Sequence, residues 1–132
     1  MGFIVEVDDT GGVTTTFSGW DLAMTMRRQV RVEPQQIERA WGSPRGPLEQ
    51  MIERRIVGRG SHSGLDRPNG ARVGSMLGRG EQEVQYWAVR GGTANDQVLV
   101  LDLRGHDFGR LVLSVDGDPH VVADAITRLG ST

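Results

Sequence analysis

Apolar and polar positions alternate with a period of two through most of this chain and turn most clearly helical at its end. Phe3, Val5 and Val7 share one face of a first predicted strand, and the β-branched and aromatic run Val13–Phe17 makes a second. The cluster Asp8–Gly12 is the turn between them, so the pair reads as a hairpin. From Trp20 to Arg28 the spacing of Leu22, Ala23 and Met26 predicts a short helix. Asp21 near its start and Arg27 and Arg28 near its end suit the helix dipole. Val30 and Val32 then alternate in a strand that stops at Pro34, and Ile37–Trp41 is a short extended segment ended by Gly42, Pro44, Gly46 and Pro47.

Leu48, Met51, Ile52 and Ile56 have helical spacing, which predicts one helical stretch over Leu48–Val57. A Gly- and Arg-rich loop over about residues 58–80 follows, interrupted by a strand at Arg72–Leu77. Glu83–Arg90, Gln97–Leu103 and Arg110–Val115 are three further strands, the first two separated by the turn Gly91–Asp96. The last block is the sharpest local signal. Asp118 is a helix N-cap, Pro119 occupies the first helical position, and Val121, Val122, Ala125, Ile126 and Leu129 form one apolar stripe closed by Gly130. The expected architecture is one mainly β domain over residues 1–132, an antiparallel barrel or sandwich with a C-terminal helix at about 118–129 covering one opening.

The chain also resembles the uncharacterised bacterial proteins of actinobacterial type with a pleckstrin-homology-like (PH-like) fold. The resemblance is carried by WDLAMTMRRQVRVEPQQI at Trp20–Ile37, GRGSHSGLDRPNGARVGSML in the loop, the tetrad Tyr86–Val89, and the VLVLDL, RLVLSVD and Asp-Pro run near the end. Gly117 between Asp116 and Asp118 departs from the direct entry of strand into helix cap in that family. The resemblance implies a PH-like barrel, and a domain that binds phospholipid headgroups, peptides or proteins rather than one with a particular activity.

Composition narrows the class. Apolar residues make up 37% of the chain and 19 glycines account for much of the shortfall, which fits a folded domain with long loops. Absence of cysteine excludes disulfides and thiolate metal sites. All 15 basic residues are arginine, so every basic site uses the planar guanidinium fork. A net charge of -2 argues against general nucleic-acid binding. The N-terminal segment has no secretory pattern and no run is long enough to span a membrane, so the expected location is cytoplasmic.

Candidate chemistry is sparse. Gly58, Gly60 and Gly64 miss the dinucleotide-binding spacing, and a P-loop is excluded because it needs lysine. His62, His106 and His120 are too scattered for a zinc site, and Ser61, His62, Ser63 and Asp66 supply the residue types of a catalytic triad without its spacing. No catalytic residue, metal or cofactor is expected. Between Arg45 and Arg79, seven arginines meet three acids, a surplus of four positive charges against a deficit of six in the rest of the chain. Arg54, Arg55, Arg59 and Arg72 are the candidate anion-binding set for an anionic lipid surface or another acidic partner. Trp87, if its side chain points outward, and Trp41 are the candidate interaction surface. The functional expectation is a non-enzymatic domain that binds a protein partner or a second copy of itself, with anion or phospholipid-headgroup binding through the Arg-rich loop as the alternative.

Removing the last helix should uncover Val and Leu faces, so a fragment of residues 1–117 is expected to aggregate in static light scattering. A monodisperse fragment with a cooperative unfolding transition would contradict that.

Overall fold

A computed structural model describes residues 2–18, 28–49, 52–59, 72–78 and 84–131, with the backbone alone at residues 2, 52–59, 72, 77 and 78. The predicted first hairpin is β1 (Gly2–Val7) and β2 (Val13–Ser18), and β3 (Gln29–Val32) adds to β2 to make a three-stranded antiparallel sheet. Its turn is built around Asp8, whose carboxylate accepts from the backbone N–H of Thr10 and Gly12 and from the Thr10 hydroxyl. Gly11 adopts φ 88°, and a Cβ there would meet the Gly130 nitrogen at 3.0 Å, so the turn packs against the end of the C-terminal helix. The helix predicted over Trp20–Arg28 falls almost wholly outside the described residues.

A 3-10 turn at Pro34–Gln36 leads from β3 into β4 (Ile37–Pro44), which is longer than its sequence pattern indicates. A single helical turn, α1 (Arg45–Glu49), follows, and then β5 (Ile52–Arg59) where a helix to Val57 is expected from sequence. β5 carries register shifts between Ile52 and Arg54 and between Arg55 and Val57. The helical spacing draws on Leu48, which belongs to α1, whereas Ile52 and Ile56 of β5 are four apart, a separation that fits strand and helix alike. β6 (Arg72–Gly78) matches the strand predicted inside the Gly/Arg-rich region, while Gly58 and Arg59 belong to β5; the rest of that loop lies outside the described residues.

β7 (Val84–Val89), β8 (Gln97–Leu103) and β9 (Arg110–Leu113) complete a six-stranded sheet of order β4-β8-β9-β7-β6-β5. β9 folds back from β8 into the slot beside β7, and β7 and β9 run parallel. The expected PH-like antiparallel barrel or sandwich is therefore corrected: among the described residues β4 and β5 are the two edges of an open mixed sheet, and neither sheet closes on itself. The fold is a mixed α/β arrangement dominated by this sheet and by α2 (Pro119–Gly130). Asp118 caps α2 by accepting from the His120 N–H at 2.9 Å, as the Asp-Pro signal predicts.

One face of the large sheet packs under the small sheet and α2. Its core holds Phe3, Phe17, Val32, Tyr86, Leu99, Leu101, Leu111 and Leu113, together with Ala123 and Ile126 of the helix. A line of rings, Phe3–Phe17–Tyr86–Phe108, runs through it with centroids 6.4, 5.6 and 4.9 Å apart, within the range of favourable tilted contacts. His106 ties the two sheets together. Its Nδ1 accepts from the Phe108 N–H, so its Nε2 carries the proton and donates to the Arg31 carbonyl. The other face is apolar too, with Leu48, Met76, Trp87, Val89, Val98, Val100 and Val112 in a second buried cluster.

Replacing Ile126, fully packed in the core, by Ala should cost about 3 kcal/mol in urea unfolding, whereas Val121→Ala, at a site 64% exposed on the same helix, should stay within about 0.5 kcal/mol. Similar losses at both sites would contradict this packing. The hydrogen bonds from Thr10 and the guanidinium of Arg31, 2.7 Å away, hold the Asp8 carboxyl well below the usual carboxylate range. Its pKa is lowered in the folded state, so its contribution to stability is complete above about pH 4 and is lost as pH falls further. Asp8→Asn is expected to flatten the acid side of the melting-temperature profile; parallel profiles for variant and wild type would count against the role of this turn.

Candidate functional site

Pairing of β4, β8 and β9 lines up residues that are far apart in sequence. In one row across the outer face, Arg39 partners Asp102 and Asp102 partners Arg110; in the next, Trp41 partners Val100, Val100 partners Val112, and Val112 partners Trp87. Asp102 is the hub. One of its carboxylate oxygens accepts from Arg110 Nε at 2.7 Å and the other from the Trp41 indole N–H at 2.9 Å. The Arg110 and Asp102 side chains retain only 11% and 18% of their exposure, so this charge-assisted pair is shielded from most screening.

Trp41 is half-buried against the outer-face cluster. The guanidinium of Arg39 lies 4.7 Å from its ring centroid and that of Arg110 lies 5.6 Å away, both within cation–π range. Arg110 is committed to Asp102, whereas Arg39 is exposed and pairs with no carboxylate among the described residues. The indole is thus fixed at one end by its hydrogen bond and presented beside a free edge strand.

The two tryptophans of the expected interaction surface share one sheet face but differ in access. Trp41 sits in the edge strand, while Trp87 is 0% exposed and donates its indole N–H to Gln85 Oε1 at 2.9 Å. Trp87 is therefore corrected to a core residue, because the outer face at the centre of the sheet is covered rather than open. The four candidate anion-binding arginines do not occupy a loop. Arg54, Arg55 and Arg59 lie in β5 and Arg72 begins β6, with Arg59 across from Val73 and Arg54 across from Leu77. Their side chains lie outside the described residues. Arg45, counted from sequence among the same basic group, is 0% exposed and forms an ion pair with Glu49 one helical turn later. It also donates to the Arg90 carbonyl at 2.7 Å, so its charge is spent inside the fold.

A second concavity of about 510 Å³ opens where β7 and β9 end and α2 begins, lined by Arg45, Arg90, Asp96, Ser114, Asp118 and His120. Most of its polar groups are already engaged: Arg45 with Glu49, Asp96 with Thr93, Asp118 with the helix N–H, and His120 with the Gln97 side chain at 3.0 Å, while the Arg90 guanidinium lies 4.9 Å from the Phe3 ring centroid and meets no carboxylate among the described residues. His106 lies in the β8–β9 turn, bonded to the Arg31 carbonyl, and His62 and Asp66 are outside the described residues, so no histidine–carboxylate pair is assembled among the described residues in this cleft. Among the described residues no group of three His, Cys, Asp or Glu side chains is placed to hold a metal ion, and no helix is long and apolar enough to cross a membrane.

Arg39, Asp102 and Arg110 carry no local sequence signal. Asp102 breaks the apolar run of β8, and that interruption is the one clue available before the strands are paired. Comparison of the chain with protein-family models, curated proteins and solved structures gives no match.

Proposed function

We propose that this domain is a non-enzymatic protein-binding module, and that Trp41 with its arginine neighbours is the centre of its contact surface. The observation that carries this reading is a half-buried tryptophan, oriented by Asp102 and flanked by two guanidinium groups, on a strand that is an edge of its sheet among the described residues. Tryptophan and arginine are the side chains that most often dominate binding energy, because each offers a large contact area and directed polar atoms at low conformational cost. Pre-orientation of the indole lowers that cost further.

A second reading, binding of an anionic surface, is favoured by one backbone feature: Arg54, Arg55, Arg59 and Arg72 fall on two paired strands at the opposite edge of the same sheet. It predicts greater co-sedimentation with anionic than with neutral vesicles at low salt, and equal behaviour with both would exclude it.

For the protein-binding reading, affinity capture combined with size-exclusion and light scattering is expected to return a specific complex. Trp41→Ala should weaken it about 30-fold, the effect of losing a contact worth about 2 kcal/mol, while thermal unfolding confirms that the variant is folded. A strict monomer that captures nothing would remove this reading, and undiminished capture by the variant would move the contact surface away from Trp41.

A further inference from the structure

We infer that the free edge of β4 receives an extended segment of the partner protein, added as a seventh strand, with an acidic side chain of that segment opposite Arg39. This rests on the protein-binding reading and specifies its partner. β4 spans eight residues and hydrogen-bonds to β8 on one side, while among the described residues no strand occupies its other side. An edge of that kind presents backbone donors and acceptors in a row, which is what strand addition uses for affinity, with side-chain positions supplying selectivity.

The usable ladder has definite ends. The register shift between Ile37 and Arg39 interrupts the strand at its start, and Pro44 has no N–H to donate at its finish. Residues Arg39–Ser43 are left as the regular stretch. Beside it, a small cavity of about 160 Å³ between β4 and the end of α2, lined by Ile37, Arg39, Ala40, Ile126, Thr127 and Ser131, offers room for one side chain of the incoming strand.

Charge selects the occupant. Arg31 is paired with Asp8 and Glu33, and Arg110 with Asp102, but Arg39 meets no carboxylate among the described residues and rests within cation–π distance of Trp41. A guanidinium in that state presents a rigid fork of donors suited to a carboxylate. Residues directly opposite in neighbouring strands have Cβ atoms about 5 Å apart, within reach of an Arg–Glu contact. A second copy of this chain is a poorer occupant, because antiparallel pairing of two β4 strands over Arg39–Ser43 sets Arg39 opposite Ser43 and supplies no carboxylate to it.

The test is an amide-resolved NMR titration of the ¹⁵N-labelled full chain with two blocked hexapeptides, Thr-Val-Glu-Val-Thr-Val and Thr-Val-Lys-Val-Thr-Val. The expected result is perturbation centred on Arg39–Ser43, with the Glu peptide bound about threefold more tightly than the Lys peptide, the scale of one exposed ion pair. Arg39→Glu should reverse that preference and Arg39→Gln should abolish it, and methylation of alternate peptide nitrogens should remove binding altogether. No perturbation, perturbation elsewhere, or equal binding of both peptides to wild type would overturn the inference. A dimer in light scattering that Arg39→Glu leaves intact would overturn it as well. If the peptides fail while the chain still captures a partner in a Trp41-dependent manner, strand addition falls and the protein-binding reading stands; if the peptides bind β4 as expected but no protein is captured, the reverse holds.

Discussion

The rest of this structure depends on burial of the central strands on both faces. β7, β8 and β9 cannot show a clean alternation of apolar and polar residues, because each of their two faces is covered. Tyr86, Leu99 and Leu111 look toward the small sheet and α2, while Trp87, Val100 and Val112 look the other way, and all six are buried. At roughly 1.5–3 kcal/mol for each large apolar side chain removed from water, two such layers on one set of strands are the dominant stabilising element of the domain. The parallel β7–β9 pair fits the same logic, since parallel strands are found where both faces are covered.

Most polar groups inside this frame are paired rather than exposed, the buried Thr15 hydroxyl being an exception among the described residues. Arg45 is wholly buried yet has Glu49 and the Arg90 carbonyl as partners. Trp87 has Gln85, and His106 bridges the two sheets through its neutral tautomer. Such groups are costly to leave unpaired in a low-dielectric interior, so their pairing specifies how the layers sit as well as stabilising them. The Trp41 cluster differs because it is only half covered. Asp102 supplies its internal partner, and Arg39 keeps its charge toward solvent. The proposed contact surface centres on that cluster because its geometry is prepared by the fold and its capacity is not consumed by it.

Much of the local structure was legible from residues alone. The period of two in β1, β2 and β3, the turn chemistry at Asp8, and the Asp118-Pro119 helix start all express interactions between residues close in sequence. The failures occurred where that locality ends. β5 reads as a helix because Leu48 of α1 falls in line with Ile52 and Ile56, whose separation of four suits a strand and a helix equally. An antiparallel barrel or sandwich is what a set of recognised strands suggests while their order is unknown; β9 inserts between β8 and β7, parallel to β7, and among the described residues leaves β4 and β5 as separate edges.

The candidate site was half legible. Trp41 stood out as a residue type with few roles, but so did Trp87, and only pairing and coverage distinguish an edge tryptophan from a core one. Arg39, Asp102 and Arg110 belong to three different strands, and nothing in their immediate neighbours anticipates that β4 and β9 would flank β8 in a register that aligns them. The sequence by itself determined the periodicities, the caps and the absence of lysine and cysteine, because those depend on backbone geometry and composition. Among the described residues the tertiary structure decided which faces were covered, which edges stayed open and that Arg39 meets no carboxylate beside Trp41, because these follow from strand order, and strand order is settled by non-local burial.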